Sequence, residues 1–269
     1  MHRILLQAGA CAAGCVAKTR LAADMDEQQL RRAEELCPNW RSLLCAAFPY
    51  GGGAGESRIS CYARGADYHA VLRERLAGAA AALQTGLPQN RFVFCADVSP
   101  FPEVAAAALA GLGKVGRHGL LITETAGSYV FLGFLITDAD LPETGGEITP
   151  CMGCGACQRA CPGGALAGGD FEGRCLSALT QKRGELTAEQ TALVKRGGLL
   201  WGCDRCQLVC PENRRITAPP LPEFAPLPDP AEGDLQLSDR QFRRQFAGRA
   251  FVWRGVQPLR RNFEILKED

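Results

Sequence analysis

The stretch CMGCGACQRACPGGAL, residues 151–166, places four thiols within eleven residues and sets a proline directly after the fourth. Cysteine at that density either pairs into disulfides or holds metal. Disulfide scaffolds are usually far shorter than a 269-residue chain, and eight of the 14 cysteines here fall at ligand spacings, so ligation is the reading. A second run, CDRCQLVCPEN (203–213), supplies Cys203, Cys206 and Cys210 before Pro211, and Cys175 stands between the two runs in GRCLSALTQ.

The spacing C-x2-C-x2-C-x3-C-P, formed by Cys151, Cys154, Cys157, Cys161 and Pro162, is that of bacterial two-cluster ferredoxins. In those proteins three cysteines wrap one 4Fe-4S cube and the fourth reaches the other. Two cubes need eight thiolates; the two runs give seven and Cys175 is the eighth. By this logic Cys151, Cys154, Cys157 and Cys210 hold one cluster, while Cys161, Cys175, Cys203 and Cys206 hold the other. Structural zinc is the competing reading, because C-x2-C pairs also build tetrahedral sites, although zinc does not demand the longer run. The remaining cysteines, at 11, 15, 37, 45, 61 and 95, sit singly in apolar or helical context, where a small buried hydrophobe is the default. Of these Cys61 is kept as a cofactor candidate.

Outward from the cysteine runs the expected fold class is α+β. RSLLCAAFPY (41–50) and RFVFCADVSP (91–100) read as buried strands stopped by Pro or Gly. Between them, residues 67–86 put Val71, Leu72, Leu76, Ala79, Ala80 and Leu83 on one helical face. A second helix is expected within 100–113. GLLIT (119–123) and GSYVFLGFLIT (127–137), joined by a turn-rich ETAG, read as a hairpin and hence as antiparallel pairing. Thr187 with Gln190, and Ser238 with Gln241, spell capping boxes, and the proline-rich 218–233 reads as a stiff connector. The division expected is an α+β domain over 1–148, a double-cluster module over 149–217, and a connector with a basic helical segment over 218–269.

Hydrophobic residues make up 46% of the chain and charged ones 22%, enough to bury a sizeable core. The net charge of +1 supplies no overall field for nucleic acid, so such a partner would need a local patch. From Arg240 to Arg261 there are seven arginines and no acid, interleaved with Phe242, Phe246, Phe251 and Trp253. That strip fits phosphate contact with base stacking, and equally an amphipathic segment whose aromatics face a core. The start MHRILLQAGACAAGC superficially resembles an export signal, but Gln7 interrupts its apolar run and Ala12 stands where a lipoprotein signal wants a large apolar residue. No apolar run approaches the ~20 residues of a spanning helix, so no membrane partner and a cytoplasmic location are expected.

Taken in order, ARGADYH (63–69), DVSPFPE (97–103), GLGKVGRHGLLI (111–122), GSYVFLG (127–133), RCLSALT and WGCDRCQLVCPEN resemble the epoxyqueuosine reductase family. The likeness runs from Phe48 to Asn213 and continues more weakly through 237–262. It implies a corrin-binding domain similar to reductive dehalogenases and nitroreductases, two 4Fe-4S clusters, cobalamin, and reduction of epoxyqueuosine to queuosine in tRNA. A low-potential donor such as ferredoxin or flavodoxin would feed the clusters. Reducing an epoxide takes two electrons and an acid for the departing oxygen, and Asp97 matches the family's proton donor. A strand-end or turn aspartate with no such role is the plain alternative. The implied cofactor contacts are Cys61, His69, Asp97, Gly113, Gly116, Ser128 and Ser177. His69 is not expected to ligate cobalt, because DYHAVL has Leu72 where the D-x-H-x-x-G pattern needs glycine. Gly113 and Gly116 would admit a large planar ligand, or serve turns alone.

The chain also departs from the family. Val104 stands where the family carries Arg, and Arg117-His118-Gly119 replaces Lys-Asn-Thr. The region before Phe48 is shorter than usual, and longer members continue into helical repeats that help hold tRNA. These departures bear on substrate more than on cofactor. They leave open a corrinoid reductase with another small substrate, and a two-cluster electron carrier without catalysis.

Overall fold

The computed structural model describes residues 1–52, 56–96 and 99–267, with the side chain of Ala96 left aside. The chain forms two compact units, each assembled from three segments. One comprises Met1–Tyr50, Tyr68–Gly153 and Arg214–Leu221; the other comprises Gly51–Asp67, Cys154–Asn213 and Pro222–Asp269.

Strands of the first unit are β1 (Ala12–Ala17), β2 (Ser42–Pro49), β3 (Phe92–Ala96), β4 (Lys114–Val115), β5 (Leu121–Ile122) and β6 (Val130–Thr137). Four make an antiparallel sheet in the order β1-β2-β6-β3. β2 is buried at every position, which its continuous apolar run SLLCAAFP requires once both edges are paired and both faces covered. On one face Leu43, Cys45, Ala47, Phe134 and Ile136 pack with Trp40, Phe101 and the alanines 106–108 of the helix Glu103–Leu109. On the other lies the helix Tyr68–Gly86, whose buried residues are the six read from the sequence pattern. Gly133 of β6 lets it approach: a Cβ there would stand 2.8 Å from Leu76.

Three expectations need correction. Residues 119–123 and 127–137 do not pair as a hairpin; β5 pairs with β4, β6 lies between β2 and β3, and a single bridge, Thr123 to Gly127, spans the turn. The antiparallel sheet is as expected, but a strand with two long partners had no edge left for its sequence neighbour. β3 is less buried than its apolar run suggests, with Phe94 exposed, because it is an edge strand. The helix expected within 100–113 is confined to Glu103–Leu109, after Pro102 at its N-cap.

The second unit is built around two apolar clusters. Leu176, Leu179, Leu193, Val194 and Ile265 form one. Trp201, Phe242, Phe246 and Phe251 form the other, with ring centroids 4.8 to 6.4 Å apart. Both capping boxes form as read, at Thr187 and Ser238. The proline-rich stretch is extended but not free. Phe224 is buried, the Glu223 carbonyl accepts from Ala66 N–H at 2.9 Å, and Leu227 N–H donates to Arg64 C=O at 2.8 Å. The last helix, Gln257–Lys267, is pinned by buried Asn262, whose amide donates to the carbonyls of Thr180 and Leu200, both at 2.8 Å. Residues 222–269 therefore group with the cysteine segment in one unit instead of standing apart from it.

Candidate cluster ligands and active-site residues

Seven of the eight candidate ligands, all but Cys151, lie in the second unit. The short helices Ala156–Ala160 and Arg205–Leu208, one after each C-x2-C start, pack on each other. Gly163, after the Cys161-Pro162 pair, lies so close to the Arg174 carbonyl that a Cβ would collide with it, and Arg174 Nε donates to Gly163 C=O at 2.7 Å. That approach brings the residue before Cys175 against the end of the first run. The Cys206 thiol is pushed up to about 12 by burial, with Cys203 and Cys175 adding to it. Cys203 is pushed up to about 11 by burial, with Asp204 and Cys175 adding to it. Cys210 is raised by burial too, and among its neighbours is Cys154. Thus Cys175, Cys203 and Cys206 are neighbours of one another, and Cys154 and Cys210 are neighbours too.

This donor set suits iron–sulfur cubes. It is all sulfur, with Cys157 buried, Cys154 exposed and the other six in between, and its mutual repulsion as thiolates is what multivalent iron offsets. Among the described residues no three His, Cys, Asp or Glu side chains converge on one point as a single ion would require. Cys151 belongs to the first unit, where its N–H donates to Val115 C=O at 3.0 Å and its sulfur accepts from Arg117 N–H at 3.4 Å. Two further candidates are in the second unit. Buried Cys61 donates its N–H to Asp204 at 2.8 Å, and Ser177 Oγ accepts from Gln181 at 3.1 Å. Gln181 in turn accepts from Tyr62, whose hydroxyl accepts from Trp201 Nε1 at 2.8 Å.

In the first unit, β3 ends at Ala96 opposite Gly133, and beyond that point Val130, Phe131 and Leu132 of β6 are only half-buried. Val130 and Leu132 pack toward the core on one face of the sheet, and Phe131 lies on the other. A chain of rings runs through Phe131: His69 stacks on Tyr68 at 4.0 Å, Tyr68 on Phe131 at 4.3 Å, and Phe131 lies 4.5 Å from Tyr50, which meets Tyr129 edge-on at 5.9 Å. Ser128 is buried beside Tyr129. Stacked rings and a buried hydroxyl thus share this part of the first unit. Asp97 follows Ala96 in sequence and lies outside the described residues.

Gly113 and Gly116 have a plainer explanation. A Cβ at 113 would collide with the Ile122 carbonyl and one at 116 with the His118 ring, so the chain's own packing requires both glycines. The single cysteines of the first unit are structural. Burial pushes Cys15 and Cys95 up to about 11, raises Cys45 well above the ordinary thiol range, and raises Cys11 and Cys37.

Of the ring chain, His69 was read from the sequence, while Tyr50, Tyr68, Phe131 and also Asp204 were missed. Alternation in SYVFLG could have pointed to Phe131, and a carboxylate between two ligand cysteines was itself a signal. The basic strip divides. Arg249, Arg260 and Arg261 donate to backbone carbonyls, and Phe242 and Phe251 are buried, so this part is internal scaffolding. Trp253 remains 51% exposed, with the Arg254 guanidinium 3.7 Å over its ring. Arg183 and Arg243 both donate to the Trp253 carbonyl.

Comparison with known proteins converges on one family. Residues 150–213 match the 4Fe-4S double cluster binding domain family, and residues 31–98 match the family described as epoxyqueuosine reductase QueG, DUF1730. The epoxyqueuosine reductase of Lactococcus garvieae is 38% identical over 77% of this chain and 61% of its own length. That of Synechocystis is 32% identical over 88% of this chain and 87% of its own. The chain spans 61 to 66% of the length of the first three relatives it matches. A crystal structure of epoxyqueuosine reductase with an epoxyqueuosine-modified tRNA-Tyr stem loop superposes with a TM-score of 0.82 at 27% identity, covering 98% of this chain and 79% of that one. The Streptococcus thermophilus enzyme gives a TM-score of 0.81 at 26% identity, covering 98% and 79%. No helix among the described residues is long and apolar enough to cross a membrane. Sulfur spacing, sheet order and these relatives agree, and the chain belongs to the epoxyqueuosine reductase family.

Proposed function

We propose that this chain reduces epoxyqueuosine to queuosine in tRNA, using two 4Fe-4S clusters and cobalamin. The observation that carries the reading is the packing of the helices Ala156–Ala160 and Arg205–Leu208 on each other, in a chain whose residues 150–213 match the 4Fe-4S double cluster binding domain; by spacing one ligand group holds Cys175, Cys203 and Cys206 and the other Cys154 and Cys210. Cys161 completes the first group; Cys157 and, by its place in the run, Cys151 complete the second. Reduction of the epoxide to an alkene consumes two electrons and two protons and releases oxygen as water. Cobalamin would supply a strongly nucleophilic metal centre, and Phe131, Tyr129, Ser128 and His69 are the residues that would hold it.

The remaining work falls to side chains of the chain itself. Asp97 delivers a proton to the epoxide oxygen as its bond to carbon breaks, the general-acid role that this step needs. A solved relative from Bacillus subtilis is described with its aspartate-bearing catalytic loop swung out of the active site, which agrees with that role. Exposed Trp253 with Arg254, Arg183 and Arg243 offers a stacking surface and cations for RNA phosphates. A low-potential ferredoxin or flavodoxin supplies the electrons. The deciding experiment combines anaerobically reconstituted protein, cobalamin, a chemical reductant and tRNA carrying epoxyqueuosine, with nucleosides read by mass spectrometry. Queuosine formation that depends on cobalamin is expected; cluster-loaded protein that binds cobalamin yet leaves the epoxide intact would overturn the reading.

A further inference from the structure

Asp204 sits between Cys203 and Cys206, is only 6% exposed, and makes no ion pair among the described residues. It occupies the N-cap of the helix Arg205–Leu208, a position where aspartate ordinarily accepts from the first backbone N–H groups, yet its side chain makes no capping bond. Both oxygens turn the other way. Oδ1 accepts from the Ser60 hydroxyl and Oδ2 from the Cys61 N–H at 2.8 Å. Two donors on two oxygens define a carboxylate, and a buried carboxylate without a cation is costly unless its charge serves a purpose. That charge stands inside the ligand run itself, one residue after Cys203 and two before Cys206.

We propose that Asp204 is a positioning residue that lowers the reduction potential of the cluster held by Cys203 and Cys206, and that Ser60 moderates it. The inference rests on the ligation reading given above. Reduction adds one electron from a low-potential donor to the cube and makes it more negative by one charge. A fixed anion beside two of its thiolates opposes that step, and cluster potential responds to local charge and hydrogen bonding. The Ser60 hydroxyl withdraws density from the carboxylate and so weakens its effect. A cluster poised lower is a stronger reductant toward whatever accepts its electrons.

The two sites give shifts of opposite sign, which a merely structural latch between Ser60 and Asp204 would not. Full-length protein, reconstituted anaerobically with iron and sulfide, is titrated with dithionite and mediators and followed by electron paramagnetic resonance. The affected signal is assigned with a Cys175→Ser variant. Asp204→Asn, which keeps the shape and removes the charge, is expected to raise the reduced-to-oxidised ratio of that cluster about tenfold at fixed potential, a shift of about 59 mV. Ser60→Ala is expected to lower the same ratio while the other cluster stays unmoved. If Asp204→Asn fails to assemble its cluster, Ser60→Ala, which retains the charge, decides alone. Potentials that do not move, or that move in the same direction in both variants, overturn the proposal and leave the ligation reading standing. Wild-type protein that takes up neither iron nor sulfide overturns both.

Discussion

At the scale of single residues, the sulfur chemistry makes separable claims. Cys175→Ala removes the ligand that lies outside both dense runs, and the expected result is loss of about half the iron and acid-labile sulfide while the fold by circular dichroism persists. Asp97→Asn is expected to retain cobalamin, seen by its absorption spectrum, while turnover falls by at least about a hundredfold, the usual worth of a general acid. The buried thiols Cys15 and Cys95 give a pH test. Their ordinary value near 9.0 is pushed up to about 11 in the fold by burial, so the native state keeps protons that the unfolded chain releases. Their contribution is complete below pH 9 and is lost as pH rises toward about 11. The midpoint of thermal unfolding is expected to fall over that window, and to fall less in a Cys15→Ala, Cys95→Ala variant. What the sequence made legible at this scale was the double-cluster module, because a cube fixes the spacing of the residues that wrap it. Asp204 was hidden because its meaning depends on Ser60 and Cys61, more than 140 positions away.

At the scale of elements, local pattern was a good guide wherever the partner was local. The buried face of Tyr68–Gly86 followed from its periodicity, and the caps at Thr187 and Ser238 followed from side chains three residues apart. Leu76→Ala removes a fully buried side chain that Gly133 was shaped to receive, and it is expected to cost about 2–5 kcal/mol in denaturant unfolding. Thr187→Ala should cost only about 1 kcal/mol, since one backbone donor loses its acceptor at an exposed terminus. The hairpin expectation failed for the converse reason: β6 takes its neighbours from residues 42–49 and 92–96, and nothing in the turn at 123–127 announces that. The seven arginines likewise gave no hint of their division. A guanidinium that donates to the carbonyls at 179, 182 and 184 looks the same in sequence as one that faces water.

At the scale of the whole molecule, the reading predicts how RNA is held. Binding of tRNA should weaken steeply as salt rises, because each displaced phosphate counterion contributes to the slope. Trp253→Ala combined with Arg254→Ala should lower affinity and flatten that slope, as measured by filter binding between low and physiological salt, while iron content stays constant. The segmentation of the chain has a further outcome for its biosynthesis. Because the unit with seven of the candidate ligands also needs residues 222–269, those residues must leave the ribosome before that unit can close. A nascent chain stalled near residue 220 would then present its thiols to oxidants with no finished cage to shelter them.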